Sequence, residues 1–413
     1  MKVLFLSLLL VVAVCLRAQK TDEIYHLTDT ARYSDVRGYG YDFVPTPLKG
    51  GKKPFFYSVK VPDGNYLVTV TLGGKKQAGV TTVRAENRRL FVQRLVTKKG
   101  QFVEQSFVVN KRTPRISDGD SVKIKDREKD YMTWDDRLTL EFNGDTPLCQ
   151  SIRIRPAADS VVTVYLCGNS TVVDQSREPW ASWGQMIPLF FDTGIAIANY
   201  AESGETAGSF IGRGRLRQAV SKMKAGDYVF IEFGHNDQKE SGAGKGAYFS
   251  FVTNLKTIID EARNKGANLV LVTPTSRRQF DDNGRIKDTH GEYDDAVRWL
   301  AKKENISLID LTQMTAVLYE AFGTENSKKA FVHYPANTFP GQTKALADNT
   351  HFSAFGAYEV AQCVLRGIRD SKIPLLKHIL PEYKKIDPAK PDEFNTFHWD
   401  LAPLYEIEKP DGN

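Results

Sequence analysis

The sequence predicts an α/β chain built in two parts, an all-β sandwich followed by a doubly wound parallel sheet. Three observations lead there. Residues 19–156 alternate apolar and polar side chains with period 2, broken by turn residues, as half-buried strands do. Residues 157–375 instead carry short continuous apolar runs separated by helical stretches, the pattern of strands buried on both faces. The change of rhythm falls at Pro156.

In chain order, residues 1–18 read as an export signal. Lys2 supplies the positive start, and Leu4 to Val14 form an apolar stretch too short to cross a bilayer with ease. Cleavage after Ala18 would deliver a secreted or periplasmic protein. Cys15 offers a lipid anchor as the alternative, disfavoured by the bulk of Val14 before it. In the sandwich, Phe55, Tyr57, Val59 and Val61 alternate, Pro62-Asp63-Gly64-Asn65 makes a tight turn, and Tyr66, Val68, Val70 and Leu72 resume the alternation. Further strands are expected at 80–85, 90–96, 102–109, 138–142 and 152–154. Beyond Pro156, apolar runs at 161–167, 195–200, 228–233, 269–272 and 306–309 predict parallel strands. Between the last two, Tyr293, Ala296, Val297, Leu300 and Ala301 share one face of a helix. Residues 376–413, rich in Pro, Asp, Glu and Lys, predict a tail packed over the surface.

Composition narrows the function. The 413 residues are 41% hydrophobic and 26% charged, a globular balance. The net charge of +6 drops to +4 once Lys2 and Arg17 leave with the signal. That excess is spread along the chain, so no nucleic-acid partner is expected. No membrane span is expected after the signal. Of the four cysteines, Cys149, Cys167 and Cys363 would remain after cleavage, an odd number without CxxC spacing, which argues against both a disulfide scaffold and a structural zinc.

In a doubly wound sheet, chemistry gathers at the carboxyl ends of the strands. The first strand leads into Gly168-Asn169-Ser170-Thr171-Val172, read either as a capped turn or as an exposed nucleophile. The second leads into Ala201-Glu202-Ser203-Gly204-Glu205, where Gly204 leaves room for a main-chain N–H to face a ligand. The third leads into Gly234-His235-Asn236-Asp237, an Asn/Asp turn or a source of an amide donor for an oxyanion. Last comes Asp348-Asn349-Thr350-His351-Phe352-Ser353, with Ser353 as N-cap of a final helix. An Asp three residues before a His in a turn can accept the imidazole Nδ1–H and set its tautomer. Together these supply a nucleophile, a base, an orienting carboxylate and oxyanion donors, all the parts of acyl transfer.

These four blocks resemble those of the SGNH (GDSL-type) hydrolases, whose fold is flavodoxin-like. The strings Gly168 to Gln175, Glu178 to Gln185, Phe233 to Asp237 and Asp348 to Phe352 resemble the rhamnogalacturonan acetylesterase group. The likeness covers roughly 157–370. The leading β-region is similar to the galactose-binding-type sandwich that precedes some bacterial members. The resemblance implies that Ser170 attacks an acetyl ester, His351 moves the proton, and Asp348 orients His351. It places the oxyanion hole at the main-chain N–H groups of Ser170 and Gly204 and at the Asn236 amide. It implies no metal or organic cofactor and no obligate protein partner. The expected substrate is an acetylated pectic polysaccharide. One position departs from the family: Asn169 stands where an aspartate is usual.

Other residues carry weaker expectations. Trp180 and Trp183 are read as helix packing or as a sugar-stacking platform. Arg177, Arg213, Arg215, Arg277 and Arg278 lie near strand ends and could meet uronate carboxylates, though surface charge is the plainer reading. His235 reads as a packing residue behind the site. Residues 330–348 predict a long irregular wall to the cleft. The competing functions are another SGNH acyl esterase or lipase, and a noncatalytic glycan-binding homologue.

Overall fold

A computed structural model describes residues 22–28, 30–43, 53–383, 386–403 and 409–411. The export signal and the Cys15 alternative lie outside the described residues.

Alternation makes strands because successive side chains point to opposite faces. Each period-2 segment is a strand: Phe55–Lys60, Gly64–Gly73, Gly79–Ala85, Arg89–Thr97, Phe102–Lys111, Arg137–Thr146 and Cys149–Pro156. The turn at 62–65 does not close a hairpin. Phe55–Lys60 pairs with Tyr39–Asp42 and Arg137–Thr146, whereas Gly64–Gly73 pairs with Cys149–Pro156 and Phe102–Lys111. The two strands therefore lie in opposite sheets, and their inward side chains meet. Tyr57, Val59, Val68, Val70, Leu138, Leu140, Phe142 and Ile152 share one buried cluster, the core of a sandwich.

The apolar runs are also strands, in the spatial order Ile195–Asn199, Val162–Gly168, Tyr228–Glu232, Asn268–Val272, Ser307–Ile309, all parallel. By sequence this is 2-1-3-4-5, the doubly wound arrangement. Both faces are covered. Val164 and Leu166 enter one core with helix Ala354–Asp370, while Tyr165 and Cys167 enter the other with helices Val252–Asn264 and Glu292–Glu304. The helix face at Ala296, Val297, Leu300 and Ala301 is buried there.

The two parts share a sheet. Phe102–Lys111 of the sandwich lies beside Ile195–Asn199 in parallel, at Val109 and Ile197, giving nine strands in one surface. A second tie is the turn between Gly79–Ala85 and Arg89–Thr97. Glu86 and Arg88 there have φ of 55° and 59°. The buried Arg88 guanidinium donates to the carbonyls of Gln175 at 2.8 Å and Trp180 at 2.6 Å, and pairs with Glu178 at 2.6 Å. The tail adds a third tie. Trp399 Nε1 and the Ala402 N–H donate to Glu178, and Asp400 pairs with Arg94 at 2.9 Å.

Among the described residues, no helix is long and apolar enough to cross a membrane.

Candidate active site

Four segments beyond the strand ends build the site. Gly168 closes the first strand. A Cβ there would stand 2.6 Å from Val172 Cγ2 and 2.9 Å from the Glu232 carbonyl, so this close turn takes glycine alone. The next turn is pinned by the Val172 and Val173 N–H groups, both donating to the Asn169 carbonyl at 3.0 Å. Ser170, 4% exposed, presents its Oγ 2.9 Å from His351 Nε2.

His351 and Asp348 sit on a strand, Leu346–Phe352, rather than in a turn. His351 Nδ1 lies 2.8 Å from Asp348 Oδ2. The other carboxylate oxygen accepts the Thr350 N–H at 2.9 Å and the His351 N–H at 3.0 Å. Burial opposes charge on Asp348, but the His351 ring and these main-chain donors outweigh it and hold the carboxyl far below its usual range. An ionised Asp348 keeps the proton on Nδ1 and leaves Nε2 to accept from Ser170. Ser353 caps the following helix, its Oγ accepting the Gly356 N–H at 3.2 Å.

Two loops face this relay. Gly204 takes φ +76°, a conformation that L side chains rarely adopt. Within the described residues, neither the Ser170 nor the Gly204 N–H donates to a protein acceptor. Asn236 Nδ2 donates to the Glu205 carbonyl at 3.1 Å, which leaves one amide hydrogen. Lys239 donates to Asn236 Oδ1 at 3.3 Å, fixing which way the amide points. Asp237 ties the two loops together by accepting the Ala207 N–H at 2.8 Å and the Gly234 N–H at 3.0 Å.

Asn169 is fully buried. Its Oδ1 accepts the Thr171 N–H at 3.2 Å and lies 3.0 Å from Thr171 Oγ1, while its Nδ2 has no partner among the described residues. Thr171 Oγ1 also meets Glu232 at 2.7 Å, and Trp183 Nε1 donates to the same carboxyl at 2.6 Å. Burial pushes Glu232 up to about 7.

Several expectations change here. Trp180 and Trp183 are 2% and 0% exposed, so they pack the interior and offer no platform for a sugar. Residues 330–348 are irregular only in their middle, at 335–345. Phe331–Tyr334 pairs antiparallel with Leu346–Phe352, and this hairpin carries the Asp/His pair. Its aromatic residues obscured a short strand pair separated by a long excursion. Of the arginines, Arg215 is buried on Glu128 at 2.5 Å, Arg213 pairs with Glu205 at 3.1 Å, and Arg278 donates to Asn349 at 3.1 Å. Arg277 lies 3.4 Å from His290 Nε2, which meets His235 Nδ1 at 3.2 Å. His235 is buried behind the site, and burial, followed by His290 and Arg277, pushes its ring well below its ordinary value.

Sequence reasoning missed three participants. Gln175 Nε2 donates to the Ser170 carbonyl at 2.9 Å. Arg88 reaches across from the sandwich to the Gln175 carbonyl. Glu232 closes an apolar strand, and a lone carboxyl there was a usable signal. The charged turn 86–89 looked like any surface turn and carried no signal.

Comparison with known proteins matches residues 159–357 to the model of the GDSL-like lipase/acylhydrolase family. The chain is 44% identical over 221 residues to the rhamnogalacturonan acetylesterase RhgT of Bacillus subtilis, covering 53% of this chain and 94% of that one. It is 30% identical over 224 residues to the probable rhamnogalacturonan acetylesterase YesY of the same organism, covering 53% and 98%. It is 25% identical over 322 residues to the uncharacterized esterase YxiM, also of Bacillus subtilis, covering 72% and 77%.

Proposed function

Because the chain belongs to the GDSL-like lipase/acylhydrolase family and is a carboxylic ester hydrolase, we propose that it is a secreted esterase that removes acetyl groups from rhamnogalacturonan through Ser170, His351 and Asp348. The observation that carries this reading is the unbroken relay from Ser170 Oγ through His351 to Asp348, at 2.9 and 2.8 Å.

Ser170 Oγ attacks the acetyl carbonyl as His351 Nε2 takes its proton. The developing oxyanion turns toward the N–H groups of Ser170 and Gly204 and the remaining Asn236 amide hydrogen. Collapse expels the sugar oxygen, which His351 protonates, and leaves acetyl-Ser170. Water, deprotonated by the same imidazole, then releases acetate. Asp348 stays charged throughout and stabilises the imidazolium. The sugar end of the substrate is supported by the names of the two relatives that match over nearly their whole length.

Acetate release from acetylated rhamnogalacturonan, acetylated xylan and long-chain p-nitrophenyl esters tests this reading. Release should be fastest from the pectic polymer and should slow as ionic strength rises, since basic groups aid docking of a polyanion. Faster release from xylan would leave an acetylesterase without the pectin assignment. Preference for long acyl chains would favour a lipase.

A further inference from the structure

The sandwich part sends a loop to the edge of the site, and two of its cations meet there. Lys125 Nζ donates to the Ser203 carbonyl, and it would lie 3.2 Å from a Cβ on Gly204. Arg127 Nε donates to Tyr131 Oη at 3.0 Å. Around them stand Arg213 and the buried Arg215–Glu128 pair, and Lys125, Arg213 and Arg215 all share one carboxylate, Glu205, at 3.4, 3.1 and 3.9 Å. Burial pushes the Glu202 carboxyl up to about 8. The cluster holds more positive than negative charge before one last group is counted.

That group is Asp411, from the tail. Its carboxylate lies 3.4 Å from Lys125 Nζ and 3.2 Å from Arg127 Nη1, and its Cβ would lie 2.8 Å from a Cβ on Gly204. Lys409, two residues earlier, raises the positive potential at Lys239, the residue that orients Asn236. Asp411 thus lies against the Gly204 loop assigned to the oxyanion hole. Asp411 itself remains 48% exposed, so little packing holds it there.

We propose that Lys125 and Arg127 form a carboxylate subsite for a uronate residue of the substrate, and that Asp411 stands in that subsite until an acidic polymer displaces it. This rests on the pectin reading above. A uronate carboxylate offers the same two oxygens to the same two donors. Neutral acetylated glycans bring no carboxylate to replace Asp411 beside Lys125 and Arg127. The sandwich then contributes selectivity to the site.

Binding to a turnover-dead Ser170→Ala chain tests the inference by calorimetry. The probes are a deacetylated rhamnogalacturonan oligosaccharide and the same oligosaccharide with its carboxyl groups reduced to alcohols. Adding Lys125→Gln and Arg127→Gln should weaken the acidic probe about 10-fold or more, as loss of charge-assisted hydrogen bonds does. Adding Asp411→Asn, at an exposed position that should not disturb folding, should tighten it about 3-fold by removing the competitor. The ratio between acidic and reduced probes should collapse only in the first case. Equal affinity of all three chains for the acidic probe would overturn the inference and leave the pectin reading standing. Failure of the Ser170→Ala chain to bind either probe, while the wild type releases acetate from xylan, would overturn both.

Discussion

Ser170 and His351 act as one unit, so their losses should not add. Ser170→Ala and His351→Ala should each cut kcat by on the order of 10⁴-fold, and the double variant should be no worse. Near-wild-type turnover by Ser170→Ala would remove it from the role of nucleophile. Asn169 poses a finer question. Its Oδ1 makes the contacts that an aspartate oxygen would make, while its Nδ2 is a buried donor without a partner among the described residues, a cost of about 1–3 kcal/mol. Asn169→Asp removes that orphan but buries a charge one hydroxyl away from Glu232, whose carboxyl is already pushed up to about 7. The neutral form of Glu232 can absorb the change, so kcat should stay within about 10-fold of wild type. A loss of about 100-fold, ~2.7 kcal/mol, would show a nucleophile loop adapted to the amide.

At the scale of elements, the turn at 86–89 positions the nucleophile from another part of the chain. Arg88 holds the Gln175 carbonyl, and the Gln175 side chain holds the Ser170 carbonyl. Gln185 adds to this, donating to the carbonyls of Asn87 and Gln175 at 3.0 Å each. Arg88→Ala strands the buried Glu178 carboxylate and should cost about 3–5 kcal/mol of stability. It should also lower kcat by about 10–100-fold at temperatures where the variant is folded, because a small misplacement of a nucleophile is expensive. Arg88→Lys keeps a charge beside Glu178 but cannot span several carbonyls, so it should recover stability better than kcat. Lost stability with unchanged kcat would reduce the turn to a structural tie. None of this was legible beforehand. The period-2 pattern located strands 80–85 and 90–96 correctly, but a charged turn of ordinary composition says nothing about what it is inserted into.

Across the whole molecule, the shared nine-stranded sheet and the tail bind the sandwich to the α/β part. The sandwich strands bury a core of their own, which by itself would favour separate unfolding. Arg88, seated among hydrolase carbonyls, and Arg89, bonded to the Ile197 carbonyl at 3.2 Å, would lose those partners on separation. A single calorimetric transition is therefore expected, and two well-separated transitions would restore the independent unit. Its midpoint should depend on pH in a definite direction. Burial pushes Glu86, Glu202 and Glu359 up to about 8 each. Unfolded, these groups ionise near their ordinary 4.5. Between those values the folded chain holds protons that the unfolded chain releases. The stability they contribute is present below about 4.5 and is lost as pH rises to about 8. The melting temperature should accordingly fall from pH 5 to pH 8, and a flat or rising profile would mean these carboxyls are charged in the fold.

Local pattern determined most of the strands, their parallel or antiparallel setting and the four segments that carry Ser170, Gly204, Asn236 and His351. Each depends on interactions within a few residues: the two-residue period of a strand, the absence of Cβ at a tight turn, the side-chain cap of a helix. Tertiary structure decided what lies across space. It sent the turn at 62–65 between sheets, made 330–348 begin and end as a hairpin, buried Trp180 and Trp183, and brought Arg88, Lys125 and Asp411 to the edge of the site. The reason is physical. The partner of a strand or a charge is set by the packing energy of the whole chain against the entropy of closing long loops, and residues far apart in sequence leave no periodic trace of that balance.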